Sequence, residues 1–212
     1  MISKGRRLKS ILLIGPTGAG KTPAGEYIEK KGFGRKRCHH FDFGHQLRTI
    51  AQNDSLPEGM EKADHLFIRE VLDKGLLLEN EHFHIAEKVI DLFLCGKNFK
   101  NEDLLVLNGL PRHVDQARDL DKLVEVESLF VLECEAEDVH ERIRRNTGSD
   151  RTGRTDDDLH MIRKKLEIFK TRTSPLIDYY AQSGSSVFKI KVTASSTAEL
   201  TYSEIQRITG NM

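Results

Sequence analysis

Three uninterrupted apolar runs stand out from an otherwise polar chain: Ile11-Leu12-Leu13-Ile14, Leu104-Leu105-Val106-Leu107 and Leu129-Phe130-Val131-Leu132. Runs this short and this apolar predict strands buried on both faces, as in a parallel sheet. Residues 37–41 read as a further short strand, and Val187-Phe188-Lys189-Ile190-Lys191-Val192 as the last one. Between the strands the apolar positions take a helical spacing. A first helix runs to about residue 31 and is broken by Gly32 and Gly34. Others are predicted over 43–52, over 60–74 (Ala63, Leu66, Phe67, Glu70 and Val71, ended by Gly75) and over 81–95 (Phe83, Ile85, Val89, Leu92, Phe93). Further helices run from after Arg112 to about 124 and over 136–145. A long one carries Leu159, Ile162, Leu166, Phe169, Leu176 and Tyr180 as core positions and is bent at Pro175, and a last one covers 198–208. Polar segments 53–59 and 146–158 read as loops, the second exposed and mobile. Strands alternating with helices predict an α/β fold, a parallel β-sheet flanked by helices on both faces. Ligands of such sheets bind at the carboxyl ends of the strands. Three stretches fall there: Gly15 to Thr22, Asn108 to Arg112, and Thr193 to Ser196.

The first of these carries the clearest chemistry. Gly15-Pro16-Thr17-Gly18-Ala19-Gly20-Lys21-Thr22 fills every position of G-x-x-x-x-G-K-[ST], between a strand and a helix. The glycines let successive N–H groups turn inward around an anion, and the following helix adds the positive end of its dipole. Lys21 is placed for the β- and γ-phosphates of a nucleotide and Thr22 for Mg²⁺. Pro23, next in line, has no N–H, so one donor of the cradle is missing.

Composition narrows the alternatives. The 212 residues suffice for one α/β domain, and 33 basic residues balance 33 acidic ones. No global field draws the chain to nucleic acid or a membrane surface. The basic clusters at Lys4, Arg6, Arg7 and Lys9 and at Arg35, Lys36 and Arg37 read as solvated faces. Three scattered cysteines, Cys38, Cys95 and Cys134, suit a reducing compartment. With no leader-like or membrane-spanning run, a cytoplasmic, soluble protein is expected. Cys38-His39-His40 with His45 lacks the paired spacings of a zinc site and reads as a strand and its end. His82 and His84, two apart on a helix, do not face one another.

Four separated features line up in order: the phosphate loop, the Gly109-Leu110-Pro111-Arg112 turn with Gln116 four residues on, the Arg154-Thr155-Asp156-Asp157-Asp158 stretch, and Ser174-Pro175-Leu176-Ile177-Asp178-Tyr179-Tyr180. Over essentially the whole chain this resembles the nucleoside monophosphate kinases, closest to adenylate kinase. The resemblance implies a single P-loop kinase domain with a monophosphate-binding segment at about 43–75 and a short lid at about 146–157. It implies transfer of the ATP γ-phosphoryl group to a nucleoside monophosphate with Mg²⁺, by a monomer. On this matching, Arg48 and Arg112 grip the acceptor phosphate, and Arg154 and Arg145 (or Arg144) reach the transferring group. Gln116 reads the adenine edge, so AMP is the first acceptor to consider. Such arginines suit the task, because phosphoryl transfer needs positioning and neutralisation of charge.

Several positions depart from the family. Asn108 stands where an aspartate is usual, Lys165 where an arginine is usual, and Phe43 takes a threonine position ahead of Gly44. Pro23 and Thr22 are also unusual. Asn108 offers Mg²⁺ only a dipole, so a raised Mg²⁺ requirement is expected, unless Asp42 at the neighbouring predicted strand end supplies the carboxylate. The departures leave two alternatives: a related P-loop kinase with another acceptor, or a nucleotide-binding regulatory or assembly protein.

Overall fold

A computed structural model describes residues 7–53, 55–150 and 159–210. Its centre is β1 (Leu8–Ile14), flanked by β3 (Leu104–Asn108) and β4 (Val124–Cys134), with β2 (Cys38–Asp42) and β5 (Ser186–Val192) outside them. All neighbours in the resulting order β2-β3-β1-β4-β5 run parallel.

The uninterrupted apolar runs face two cores because successive side chains point to opposite sides of a strand. On one face Leu12, Ile14, Phe41, Leu105, Leu107, Leu129 and Val131 join Leu47 and Ile50 of α2 (Phe43–Gln52), Ile85 and Val89 of α4 (Phe83–Lys97), and Leu176 and Tyr180 of α8 (Leu176–Gln182). On the other, Ile11, Leu13, Val106, Phe130 and Leu132 pack on Ala24 and Ile28 of α1 (Lys21–Lys31) and Ile205 of α9 (Ala198–Thr209). One irregularity keeps β4 in phase with both. Ser10 pairs with Val126 but Ile11 pairs with Ser128, which leaves Glu127 as an extra residue. The bulge lets Val124 and Val126 share a face with Leu129 and Val131 although their parity differs. The carboxylate of Glu127 then meets Lys9 at 2.9 Å and Lys36 at 3.1 Å.

Several boundaries differ from the sequence expectation. The helix after Arg112, α5 (Val114–Leu120), stops short of 124 because Val124 opens β4. The predicted helix over 81–95 starts with a 3₁₀ turn at Asn80–His82, and α4 runs on to Lys97, closed by Asn98 at φ 48°. In α3 (Lys62–Lys74) the buried face is Asp64, His65, Ile68 and Val71, whereas Leu66 is 56% exposed. The long helix is three pieces: α7 (Leu159–Ile168), a π-helical turn at Phe169–Thr173, and α8 after Pro175. The wider turn brings Ile168 and Phe169 to a cavity, so the end of that apolar stripe is not purely core. The remaining helix, α6 (Ala136–Arg145), matches its expected range. Among the described residues no helix is long and apolar enough to cross a membrane.

Candidate active site

The loop between β1 and α1 turns back under the first turn of the helix. Gly18 (φ 81°) and Gly20 (φ 89°) occupy the left-handed region that side-chain-bearing residues avoid. Space forbids a side chain there as well. A Cβ at Gly18 would lie 2.9 Å from Ile143, one at Gly20 2.7 Å from Arg142, and one at Gly15 2.8 Å from the Leu132 carbonyl. The loop is thus clamped between α6 and the end of β4. Pro16 and Ala19 are buried beneath it, while Gly15, Thr17, Gly18, Gly20, Lys21 and Thr22 line the cavity above. Lys21 Nζ donates to the carbonyls of Gly15 (2.7 Å) and Pro16 (2.8 Å), folded across the loop mouth. Pro23 is buried at the third position of α1, where its missing N–H subtracts one of the donors that a helix start offers.

Thr22 belongs to a closed polar network whose other members, Asp42 and Asn108, line the same cavity. Thr22 Oγ1 donates to Asp42 Oδ2 at 2.5 Å. Asn108 Nδ2 donates to the same Oδ2 at 2.8 Å and to Thr22 Oγ1 at 3.1 Å. Asp42 Oδ1 accepts from the His45 N–H at 2.9 Å and so caps α2. Burial pushes the Asp42 carboxyl up, but these hydrogen bonds and the nearby His40 and Arg48 outweigh it, holding it below the usual carboxylate range.

The other half of the cavity is apolar with basic residues set into it. Val71, Leu72, Leu76, Leu77 and Leu78 wall it with Leu47, Ile168 and Phe169, and Gly44, Arg48, Gly109, Arg112 and Lys165 reach the same space. A Cβ at Gly44 would touch Arg48 Nη1 at 3.3 Å and Asp42 Oδ1 at 3.5 Å, so the Arg48 guanidinium lies close over the start of α2. Burial draws the Arg112 guanidinium below its usual value and Asp42 opposes that shift; arginine stays charged regardless. The Arg112 carbonyl accepts from Thr173 Oγ1 at 2.8 Å, tying the turn to the π-helical segment. Phe43 lines the cavity beside Gly44. It is 4% exposed and packs in the core beside Phe41.

Gln116 differs from expectation in its surroundings. It is wholly buried at the cavity wall, and both ends of its amide are engaged. Nε2 donates to the Leu78 carbonyl at 2.5 Å, and Oε1 accepts from the Arg112 N–H at 2.8 Å. Gln116 therefore staples segment 75–78 to the Gly109–Arg112 turn. A second Nε2 proton and a second Oε1 lone pair remain beyond these main-chain partners.

The arginines ahead of the expected lid are also placed differently. Arg144 and Arg145 are exposed and paired with Glu141. Arg142 turns the other way. It is 5% exposed, with Nε donating to the Gly18 carbonyl (2.9 Å) and Nη1 to those of Thr193 (2.9 Å) and Ser196 (2.6 Å). Sequence reasoning missed it, although the buried Val139 three residues earlier marks the inward face of α6. Arg154, Asp156 and Asp157, with most of the expected lid, lie outside the described residues. Among the described residues no group of three or more His, Cys, Asp or Glu side chains is placed to hold a metal. His39 pairs with Asp103 at 2.8 Å, His40 packs against α1 at Gly25, and His45 belongs to α2.

A five-stranded parallel sheet with a phosphate loop at the end of its central strand defines a P-loop kinase fold of the nucleoside monophosphate kinase type. The solved structure of an unliganded sugar kinase from a Janibacter species shares this fold, at TM-score 0.53 and 11% identity over 94% of this chain and 93% of that one. A family model described as adenylate kinase matches residues 13–185, and the chain belongs to that family. The adenylate kinase of Rickettsia typhi is 27% identical, covering 93% of this chain and 97% of the relative. That of Caldicellulosiruptor bescii is 31% identical over 82% and 87%. UMP-CMP kinase 1 of Oryza sativa is 25% identical over 85% of this chain and 66% of its own length. The protein is an enzyme, a nucleoside monophosphate kinase.

Proposed function

We propose that the enzyme moves the γ-phosphoryl group of ATP to AMP, yielding two ADP. One observation carries the reading. The phosphate loop, the start of α2 with Arg48, the Gly109–Arg112 turn and Lys165 of α7 all line one cavity at the carboxyl ends of the strands. Donor and acceptor phosphates bound at these two ends would meet between them. Lys21 would exchange its carbonyl partners for the β- and γ-phosphate oxygens. Arg48 and Arg112 would hold the acceptor phosphate in line, and Lys165 would add charge without the fork of an arginine. Arg154 and Arg145 are proposed to approach the transferring group when the 146–157 loop closes, excluding water. Mg²⁺ on the triphosphate would neutralise charge on the β and γ oxygens, and the hard oxygens of Thr22 and Asp42 suit it.

The acceptor base is the finer step. Family membership supports AMP, and the apolar wall of Val71, Leu72, Leu76, Leu77 and Leu78 offers a surface for a flat base. Gln116 lines the same cavity, with a proton and a lone pair beyond its main-chain partners to meet an adenine edge. A panel of AMP, CMP, UMP and GMP with ATP and Mg²⁺, monitored for diphosphate formation, tests the reading. AMP should give the highest kcat/KM. A pyrimidine preference would move the assignment to another acceptor, and no transfer to any of the four would overturn it.

A further inference from the structure

We infer that Asp42 is the positioning carboxylate of the Mg²⁺ site, taking over across one register pair the function that Asn108 cannot perform. The inference rests on the phosphoryl-transfer reading above. Asp42 and Asn108 are directly paired residues at the ends of the parallel strands β2 and β3. β3 is the strand next to β1, so position 108 lies nearer the phosphate loop, yet the carboxylate sits one strand further out. It still reaches the loop, because Asp42 Oδ2 accepts the Thr22 hydroxyl at 2.5 Å.

The hydrogen-bond arithmetic assigns the roles. A threonine hydroxyl has one proton and two lone pairs. Thr22 gives its proton to Asp42 and accepts from Asn108 Nδ2 at 3.1 Å. One lone pair remains, and the two neighbours fix its direction. Asp42 thereby aims the Thr22 oxygen and sets a negative charge beside it at the wall of the same cavity, an arrangement suited to a hard cation and its water shell. Asn108 is the required partner. Its amide bridges Asp42 and Thr22 by donating to both, which a carboxylate at 108 could not do. Two carboxylates at the observed 2.8 Å would instead repel and drive one to protonate. The asparagine and the aspartate form a compensating exchange, so the chain keeps its carboxylate.

A structural role for Asp42 also exists, since it caps α2. Asparagine caps a helix about as well as aspartate, so Asp42→Asn keeps the cap and removes the charge. The measurement is the affinity for the β,γ-imido analogue of ATP by calorimetry, in EDTA and in saturating Mg²⁺, with Mn²⁺ affinity of the analogue complex read by electron paramagnetic resonance. Asp42→Asn should lower the Mg²⁺-dependent gain in affinity and the Mn²⁺ affinity by roughly tenfold or more, as for other outer-shell ligand partners. Its affinity in EDTA should hold or rise, since losing the carboxylate removes repulsion of the bare triphosphate, so a fall confined to Mg²⁺ and Mn²⁺ marks the metal role. The double exchange Asp42→Asn with Asn108→Asp should restore most of the gain, whereas Asn108→Asp alone should not raise it. An unchanged Mg²⁺ gain in Asp42→Asn, or a double variant no better than Asp42→Asn, overturns the inference while leaving the kinase reading intact. Wild-type protein that binds the analogue in neither condition overturns that reading, and the inference with it.

Discussion

The two halves of the cavity are built on different principles. The half around the phosphate loop, proposed for the donor, is main chain and short polar groups: glycines held at positive φ between α6 and β4, Lys21 on two carbonyls, and Thr22 in a network with Asp42 and Asn108. The half proposed for the acceptor is a wall of leucines with arginines set into it, assembled from α2, segment 71–78, the 109–112 turn and the π-helical segment. Phosphates present the same oxygens whatever the base, so one rigid main-chain cradle serves them. A base is distinguished by the shape and polarity of a pocket, and here that pocket depends on several elements keeping their mutual positions.

The comparison breaks most sharply at Lys21. Lys21→Ala should lower transfer at least about a hundredfold, the scale for losing one charge-stabilising group in the transition state. Steady-state assays check this, and undiminished turnover would remove the loop from the chemistry. Arg142→Ala should come next. It strips donors from three loop carbonyls and should cost about 2–3 kcal/mol of stability, measured by urea unfolding, with nucleotide affinity falling alongside. Intact stability would mean that water replaces the clamp.

On the acceptor side the expected effects are smaller and more diffuse. Gln116→Ala should lower kcat/KM about tenfold for every acceptor, because it frees both the Leu78 carbonyl and the Arg112 N–H. A loss confined to AMP would show that the side chain reads the adenine directly. Asp64 holds α3 to α4 through Lys88 (2.8 Å) and His84 (3.0 Å). Burial would raise its carboxyl, but those bonds outweigh it and hold the group below the usual range. A lowered folded pKa adds stability above the unfolded value of about 4, lost as pH falls through the folded value. Asp64→Asn should therefore cost about 1 kcal/mol at pH 7, and the gap to wild type should close on acidification below about pH 4. A gap independent of pH would show that the charge is not what holds the helices. Smallest of all, Arg145→Ala should change stability by less than about 0.5 kcal/mol, since it breaks only an exposed pair with Glu141. Its effect on transfer tests whether it turns inward when the loop closes.

The same contrast explains what could be read from the residues. The phosphate loop is contiguous, and its geometry follows from glycine positions and the flanking strand and helix, so eight adjacent letters suffice to recognise it. α2 spans the expected 43–52, and the structure adds Asp42 ahead of it as the cap of its first turn. In α3, by contrast, Leu66 looked like core and is exposed, while the polar Asp64 and His65 are buried through partners on α4 and α2. Arg142 was passed over for Arg144 and Arg145, although Val139 three residues earlier gives the inward phase of α6. The surroundings of Gln116 depend on Leu78, 38 residues away, and no local pattern signals that contact.

By itself the sequence determined the alternation of strands and helices, the burial of the apolar runs on both faces, and the anion-binding loop, because each follows from periodicity and backbone freedom over short stretches. Only the tertiary structure decided which carboxylate stands beside Thr22, which arginine clamps the loop, and where β4 inserts Glu127 to stay in phase with β1. Those outcomes are set by strand order and register. They bring together residues 20 to 124 positions apart, and at such separations the chain's own spacing carries no record of who becomes whose neighbour.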